Sequence, residues 1–333
     1  MPKIYEILKQ PLFDGDVGIE IEVEGRRLTD DPRDRRWKAV KDGSLRGESM
    51  EYIFTKPLPI DEVKSALEGL QEEFKKDGSR IDFSFRTSVH VHVNCQQMEM
   101  NQYLNFIYTY FLLEEPLINF CGALRKGNRF CLRLSDADGV LDTINMLFTH
   151  GSQAFQYVNQ ERVRYASINL CSTAKFGSLE FRAMEGNLDV DRLVTWAKAL
   201  VTLREFAMGA GTPKDILNMF MEDTPTSFLY RVLGRKLAAS FTYVGMDRDM
   251  QNSFSLSIDM PFSYREAKGK KKAKVIVDDI DEILANAPRR VFAAAPPGPV
   301  INGLAMDHEE ALRRWRIEAG LQQANPLNPG DAQ

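Results

Sequence analysis

The chain has little cysteine, little histidine, little net charge and no long apolar run. Its 333 residues include four cysteines, Cys95, Cys121, Cys131 and Cys171, and no CxxC spacing. That excludes a structural zinc site of the usual paired-cysteine type. No secretory signal is legible, so the cysteines read as reduced thiols and the expected location is the cytoplasm. The most apolar stretch, Tyr103 to Phe120, is interrupted by Glu114, Glu115 and Pro116. It predicts a buried helix and not a membrane span. A net charge of −4 argues against a general nucleic-acid binder and leaves a local basic patch open. The loops GxxxxGK[ST], GxGxxG and GxSxG are all missing, which removes the standard P-loop, dinucleotide and serine-hydrolase arrangements. Internal repeats are missing too.

What is present is alternation. In Gly18-Ile19-Glu20-Ile21-Glu22-Val23-Glu24 the apolar residues point one way and the three glutamates the other, the period of a strand with one buried face. Carboxylates two apart on a strand lie about 7 Å from each other and repel by about 2 kcal/mol at an effective dielectric near 20. A solvated antiparallel strand tolerates this pattern. A divalent cation on the charged face reverses the sign of the interaction.

Other segments carry the same signature. Trp37 to Val40, the turn Asp42-Gly43-Ser44 and an extended piece around Glu51 to Phe54 follow a charged loop at 26–36. Glu51 sits in apolar surroundings, so it is a stronger site candidate than Glu48. Residues 61–76 predict a helix with Val63, Leu67, Leu70 and Phe74 on one face. Residues 81–94 return to alternation, with Ile81, Phe83 and Phe85 sharing a face and then His90, His92 and Asn94 forming a polar row. Two of the chain's four histidines at i and i+2 behind an apolar face point to a ligand or phosphate-contact role, against satisfied core histidines. Helices are expected near 101–115, 139–149, 190–208, 213–221 and 226–239. Strands are expected at 163–170 and 176–182, joined by a short turn at Lys175 to Gly177. On the second of these Glu180 and Arg182 share a face. Arginine beside a ligating carboxylate suits a phosphate-transfer site, and a structural ion pair is the plain alternative. Cys95 follows the histidine strand, but nothing nearby marks it as an activated nucleophile.

Beyond about 265 the character changes. A basic run at 268–274, a Pro-rich segment at 293–300 and a short charged helix at 307–322 suggest an appendage, residues 266–333, on a catalytic domain of residues 1–265.

The order of these motifs is Glu-x-Glu, Asp-Gly-Ser with a Glu strand, His-x-His-x-Asn, an Arg/Asn strand and Glu-Phe-Arg. It resembles the phage and bacterial amidoligase family, which is similar to glutamine synthetase. The matching residues are Gly18 to Glu22, Asp42 to Ser44 with Glu51, His90 to Asn94, Arg164 to Asn169 and Gly177 to Arg182. The resemblance implies an α+β fold, a curved antiparallel sheet in a half-barrel with helices on its outer face. It implies ATP-dependent joining of a carboxylate to an amine through an acyl-phosphate, with Mg²⁺ or Mn²⁺ as cofactor. By position it implies Glu20, Glu22, Asp42, Glu51, His90 and Glu180 as metal ligands, with Glu48 as a substitute. His92, Asn94 and Asn169 would contact nucleotide or substrate, and Arg182 and Arg164 would steady the transferred phosphate. Glu185 and Glu24 stand as candidates to take the proton of the amine. The substrates stay open among an amino acid, a peptide, a protein side chain and a modified nucleobase. The location is the host cytoplasm if a phage encodes the chain. Residues 266–333 have no counterpart in the resemblance, and capping of the site, homo-oligomerisation and acceptor binding are open to them. The rival readings are a metal-dependent hydrolase built on His90, His92 and carboxylates, and a non-catalytic interaction protein on the same fold.

Overall fold

The structure, a computed structural model, describes residues 2–157 and 165–268. The chain divides into two units, Met1–Asn286 and Ala287–Gln333, and every described residue lies in the first. The expected basic run beyond Lys268, the Pro-rich segment, the charged helix at 307–322 and Arg164 all lie outside the described residues.

Alternation does produce the sheet. Among the described residues seven strands form one antiparallel sheet: β1 (Val17–Arg26), β2 (Trp37–Val40), β3 (Ser49–Phe54), β4 (Arg80–Asp82), β5 (Ser88–Asn94), β6 (Ile168–Asn169) and β7 (Ser178–Glu185). The order is β2-β3-β1-β5-β7-β6, with β4 paired to the far end of β1. The fold is therefore α+β with an open antiparallel sheet.

One sheet face is apolar and covered. Ile19, Ile21, Val23, Val89, Val91, Val93, Leu179 and Phe181 are all buried there. Against it lie α2 (Val63–Asp77), α3 (Met100–Cys121) and α6 (Val190–Gly209). Phe181 meets Phe106 and Tyr110 of α3 at ring-centroid distances of 5.5 and 4.9 Å. Tyr52 meets Phe74 of α2 edge-on, and Trp37 Nε1 donates to Ala66 O at 2.9 Å. The apolar stretch from Tyr103 to Phe120 is the buried helix its interruptions predict. It runs through Pro116 and ends at Gly122, whose φ of +113° and contact with the Glu185 carboxylate leave no room for a Cβ. No helix among the described residues is long and apolar enough to cross a membrane.

The remaining helices are α1 (Ile4–Leu8), α4 (Asp138–His150), α5 (Cys171–Phe176), α7 (Pro213–Glu222), α8 (Pro225–Ala238) and α9 (Met246–Lys268). Proline at the first turn and threonine caps start α7 and α8.

Three expectations are corrected. Residues 81–94 are not one alternating strand: pairing stops after Asp82, and Phe83 and Phe85 are exposed in a loop, where no partner strand reaches them. The strand expected at 163–170 is only the two residues of β6 within the described chain. The connection to β7 is not a short turn but α5, closed by Gly177 at φ +69°. Two helices, α1 and α9, carry too weak a periodic signal to be read in advance.

Candidate functional site

Strand register builds the polar face. On β1, Glu22 stands opposite Glu51 of β3, and Glu20 stands opposite His90 of β5. On the next pair, His92 stands opposite Glu180 of β7, which itself faces Asn169 of β6. A period of two on five neighbouring strands thus sets these side chains on one face.

Contacts join them into a network. Glu20 bridges both histidines: His90 Nδ1 lies 3.1 Å from Oε2 and His92 Nε2 3.0 Å from Oε1. His90 Nδ1 is also 3.5 Å from Glu180 Oε1. The Ser88 hydroxyl donates to Glu22 Oε2 at 2.6 Å and lies 2.8 Å from His90 Nε2. Glu180 accepts from Asn169 Nδ2 at 2.6 Å, from the Ser172 hydroxyl at 2.8 Å and from the Arg182 guanidinium. Ligating atoms of Glu20, His92 and Glu180 lie within 4.8 Å of one another, as do those of Glu20, Glu51 and His90. Glu20 is common to both groups.

The electrostatics follow from burial and neighbours. Burial works to raise the Glu20 pKa, but the charge on His92 and hydrogen bonds from both histidines hold it well below the ordinary carboxylate range. Burial also opposes ionisation of Glu180, and the charges on Arg182, His92 and His90 overcome it, bringing Glu180 to about 2. Burial works to discharge His92, and Glu20 raises it to about 8. Glu51 goes the other way. Its burial and the nearby Glu20 and Glu22 charges push it up to about 8, so it keeps a proton at neutral pH.

This donor set fits a hard divalent cation. Carboxylate oxygens predominate and imidazole completes them. The buried His92 Nε2 points at Glu20 Oε1 across 3.0 Å, and Glu51 is held protonated by burial and by the charges of Glu20 and Glu22, a crowding that a bound cation offsets.

Other expected residues fall at the margins. Asp42 is tied by both oxygens to Ser44, at 2.7 and 2.8 Å, and lies outside the two ligand groups, although its charge acts on Glu51. Glu48 is exposed. Asn94 donates to the carbonyls of Phe13 and Gly15 and accepts from Gln96 N, so its amide pins the wall of a pocket. Glu185 pairs with Arg192 at 2.9 Å, and Glu24 accepts from Arg46 N at 3.1 Å. Cys95 is buried, with its thiol pushed up to about 12 by that burial, which disposes of a thiolate nucleophile at this position.

Several participants were invisible in the sequence. Ser88 and Ser172 buffer the carboxylates. Between Phe181 and Met184, β7 carries one residue more than β5 does between Val89 and Val91. At this bulge Arg182 N donates to Ser167 O at 2.9 Å, and Arg182 O accepts from the guanidinium of Arg125 at 2.6 Å. Arg125 is fully buried, and its Nε and the other terminal nitrogen have no hydrogen-bond partner. No local motif announces such a residue.

A pocket of about 300 Å³ adjoins the network at the Asn94 end of β5. Glu20 and His92 form one side of it, Phe13, Phe54 and Phe176 supply rings, and Lys38 and Lys56 supply positive charge. Phe13 and Phe176 are 44% and 49% exposed, so ring surface is open there. Neither lysine has a carboxylate partner among the described residues.

A search of curated proteins finds no match. The family model described as "Putative amidoligase enzyme" matches residues 20–203, just over half of the chain, from the bridging Glu20 through β7 and into α6. Every member of the two ligand groups lies in that span, and the chain belongs to the amidoligase family.

Proposed function

We propose that this protein is an ATP- and divalent-metal-dependent ligase that joins a carboxylate to an amine through an acyl-phosphate, on a glutamine synthetase-like half-barrel. The observation that carries this reading is Glu20. One carboxylate is shared by two ligand groups, with His92 and Glu180 on one side and His90 and Glu51 on the other. Adjacent cation seats of this kind suit phosphoryl transfer, in which charge on several phosphate oxygens must be balanced at once.

The residues divide the work. Glu20, Glu51, His90, His92 and Glu180 hold magnesium or manganese, with Glu22 held close by Ser88 as a further ligand. A cation bound there draws charge from the phosphates of the nucleotide. The Arg182 guanidinium, fixed against Glu180, neutralises the departing phosphoryl oxygens. The 300 Å³ pocket takes the nucleoside, with ring contact from Phe13 and Phe176 and phosphate contact from Lys38 and Lys56. The acceptor is a carboxylic acid and the second substrate an amine.

Hydroxylamine trapping tests this directly. Purified protein with ATP, Mg²⁺ and a panel of carboxylic acids should release ADP and phosphate and form a hydroxamate only when the matching acid is present. Zinc retained through purification, with no affinity for ATP, would instead favour the hydrolase reading.

A further inference from the structure

The other end of the network, beyond Ser88, carries a cationic rim that the ligase reading has not used. The loop between β4 and β5 presents Phe85 and Arg86, and the segment after α3 presents Leu124, Arg129 and Phe130. Asn128 Nδ2 locks the two together by donating to Phe85 O at 2.9 Å. The Arg86 guanidinium carbon lies 5.6 Å from the Phe85 ring centre and 5.9 Å from that of Phe130, and Arg129 lies 4.8 Å from Phe130. The rings thus hold two guanidiniums in place without neutralising them. Neither arginine has a carboxylate within 4 Å among the described residues. The Arg86 guanidinium donates once, to Ser44 O at 2.8 Å, and its Nε is buried without a partner.

Position gives the rim its meaning. Arg86 is two residues ahead of Ser88, whose hydroxyl binds Glu22. Ser44 belongs to the Asp42 turn, whose charge reaches Glu51. The 300 Å³ pocket lies at the opposite end of β5, about 20 Å away by strand rise. One end of the polar row therefore meets lysines and a cavity, and the other meets arginines and open surface.

We propose that this rim binds an acidic peptide segment and delivers its carboxylate to the network, which makes the acceptor substrate peptidic; this rests on the ligase reading for the chemistry, but not for the binding. Charge complementarity selects an anion. The aromatic geometry selects carboxylates over nucleobases, because Phe130 already has two guanidiniums within 6 Å and offers little face for stacking. Phe85 and Leu124, 49% and 51% exposed, provide apolar surface beside the charges. A chain of alternating acidic and apolar side chains matches both.

The test uses the full chain and fluorescence anisotropy at low salt. The probe is a labelled octapeptide of alternating glutamate and leucine, with a lysine/leucine octapeptide and an eight-residue oligothymidylate as comparators. The wild type should bind the acidic peptide and ignore the basic one. Arg129→Gln should weaken binding severalfold, and the Arg86→Gln/Arg129→Gln pair roughly tenfold or more. Arg129→Glu should weaken it further, while unchanged thermal melting of the Arg129 variants separates binding from folding. Equal affinity in wild type and double variant, no binding by the wild type, or tighter binding of the oligonucleotide overturns the proposal. Calorimetry with Mg²⁺ and ATP runs in parallel. Loss of ATP binding with intact peptide discrimination removes the ligase reading and keeps the rim; the converse removes the rim alone.

Discussion

Glu22 of β1 stands directly across the strand pair from Glu51 of β3. Like charges in that relation destabilise a sheet. The metal-free protein relieves the strain by leaving a proton on Glu51, whose pKa rises to about 8 through burial and the charges of Glu20 and Glu22.

That proton makes the metal-free protein sensitive to pH. A carboxyl raised from 4.5 to about 8 adds stability that is complete below 4.5 and is lost as pH rises to 8. His92, raised from 6.5 to about 8, loses its contribution over the upper part of the same window. Glu180, lowered to about 2, has the opposite sign: its contribution is present above 4.5 and is lost as pH falls toward 2. Thermal melts of metal-free protein should therefore show a lower midpoint at pH 8.5 than at pH 6. Glu51→Gln should reduce the difference, as should saturating Mg²⁺. Metal affinity should climb with pH up to about 8, because binding displaces the Glu51 proton.

Glu22→Gln separates ligation from folding. Measured at pH 8.5, where Glu51 is largely ionised, it should leave metal-free stability unchanged or raise it, since the cross-strand repulsion disappears while the amide oxygen still accepts from Ser88. Metal affinity should fall. Denaturant melts and calorimetry of the same preparation measure both, and a large loss of metal-free stability would contradict the carboxylate-cluster account.

Arg182→Met should be severe. Glu180 and Arg182 are buried, at 5% and 8% exposure, so removing the cation leaves a buried carboxylate unpaired. The expected loss is about 3–5 kcal/mol in chemical denaturation. Adding Glu180→Gln to Arg182→Met should restore part of the stability but none of the activity.

Arg125→Met tests the bulge. The guanidinium supplies the donor that Arg182 O receives at 2.6 Å, and its loss leaves a buried carbonyl unsatisfied at a cost of about 1–3 kcal/mol. Turnover should drop more than nucleotide affinity, because the change acts on the aim of Arg182 and not on the pocket. Equal turnover in the variant and wild type would show that the bulge does not position Arg182.

These predictions also mark what could be read from the residues alone. Alternation placed Glu20, Glu22, His90, His92, Glu180 and Arg182 on strand faces, since a period of two is a local property. It also exposed Glu51 as the carboxylate in apolar company. What alternation cannot carry is register. That Glu20 bridges two histidines follows from how β1 aligns with β5, and alignment is settled by contacts far apart in sequence. The same limit hid Arg125, whose partner is 57 residues away, and Ser172, which reaches Glu180 only because α5 replaces the expected turn. Phe83 and Phe85 misled for the opposite reason. Their spacing is that of a strand, but no neighbour pairs with them, and the place of Phe85 in the rim follows from that failure.

The central claim is that the Glu20-centred network holds a divalent cation against the phosphates of ATP. Pulsed electron paramagnetic resonance of Mn²⁺ bound to the full chain with ATP tests it most directly. The account predicts both nitrogen couplings from the imidazoles of His90 or His92 and phosphorus couplings from the nucleotide, with both lost in Glu20→Gln. A spectrum of hydrated Mn²⁺ or Mn²⁺–ATP without nitrogen coupling, unchanged by that substitution, would contradict it.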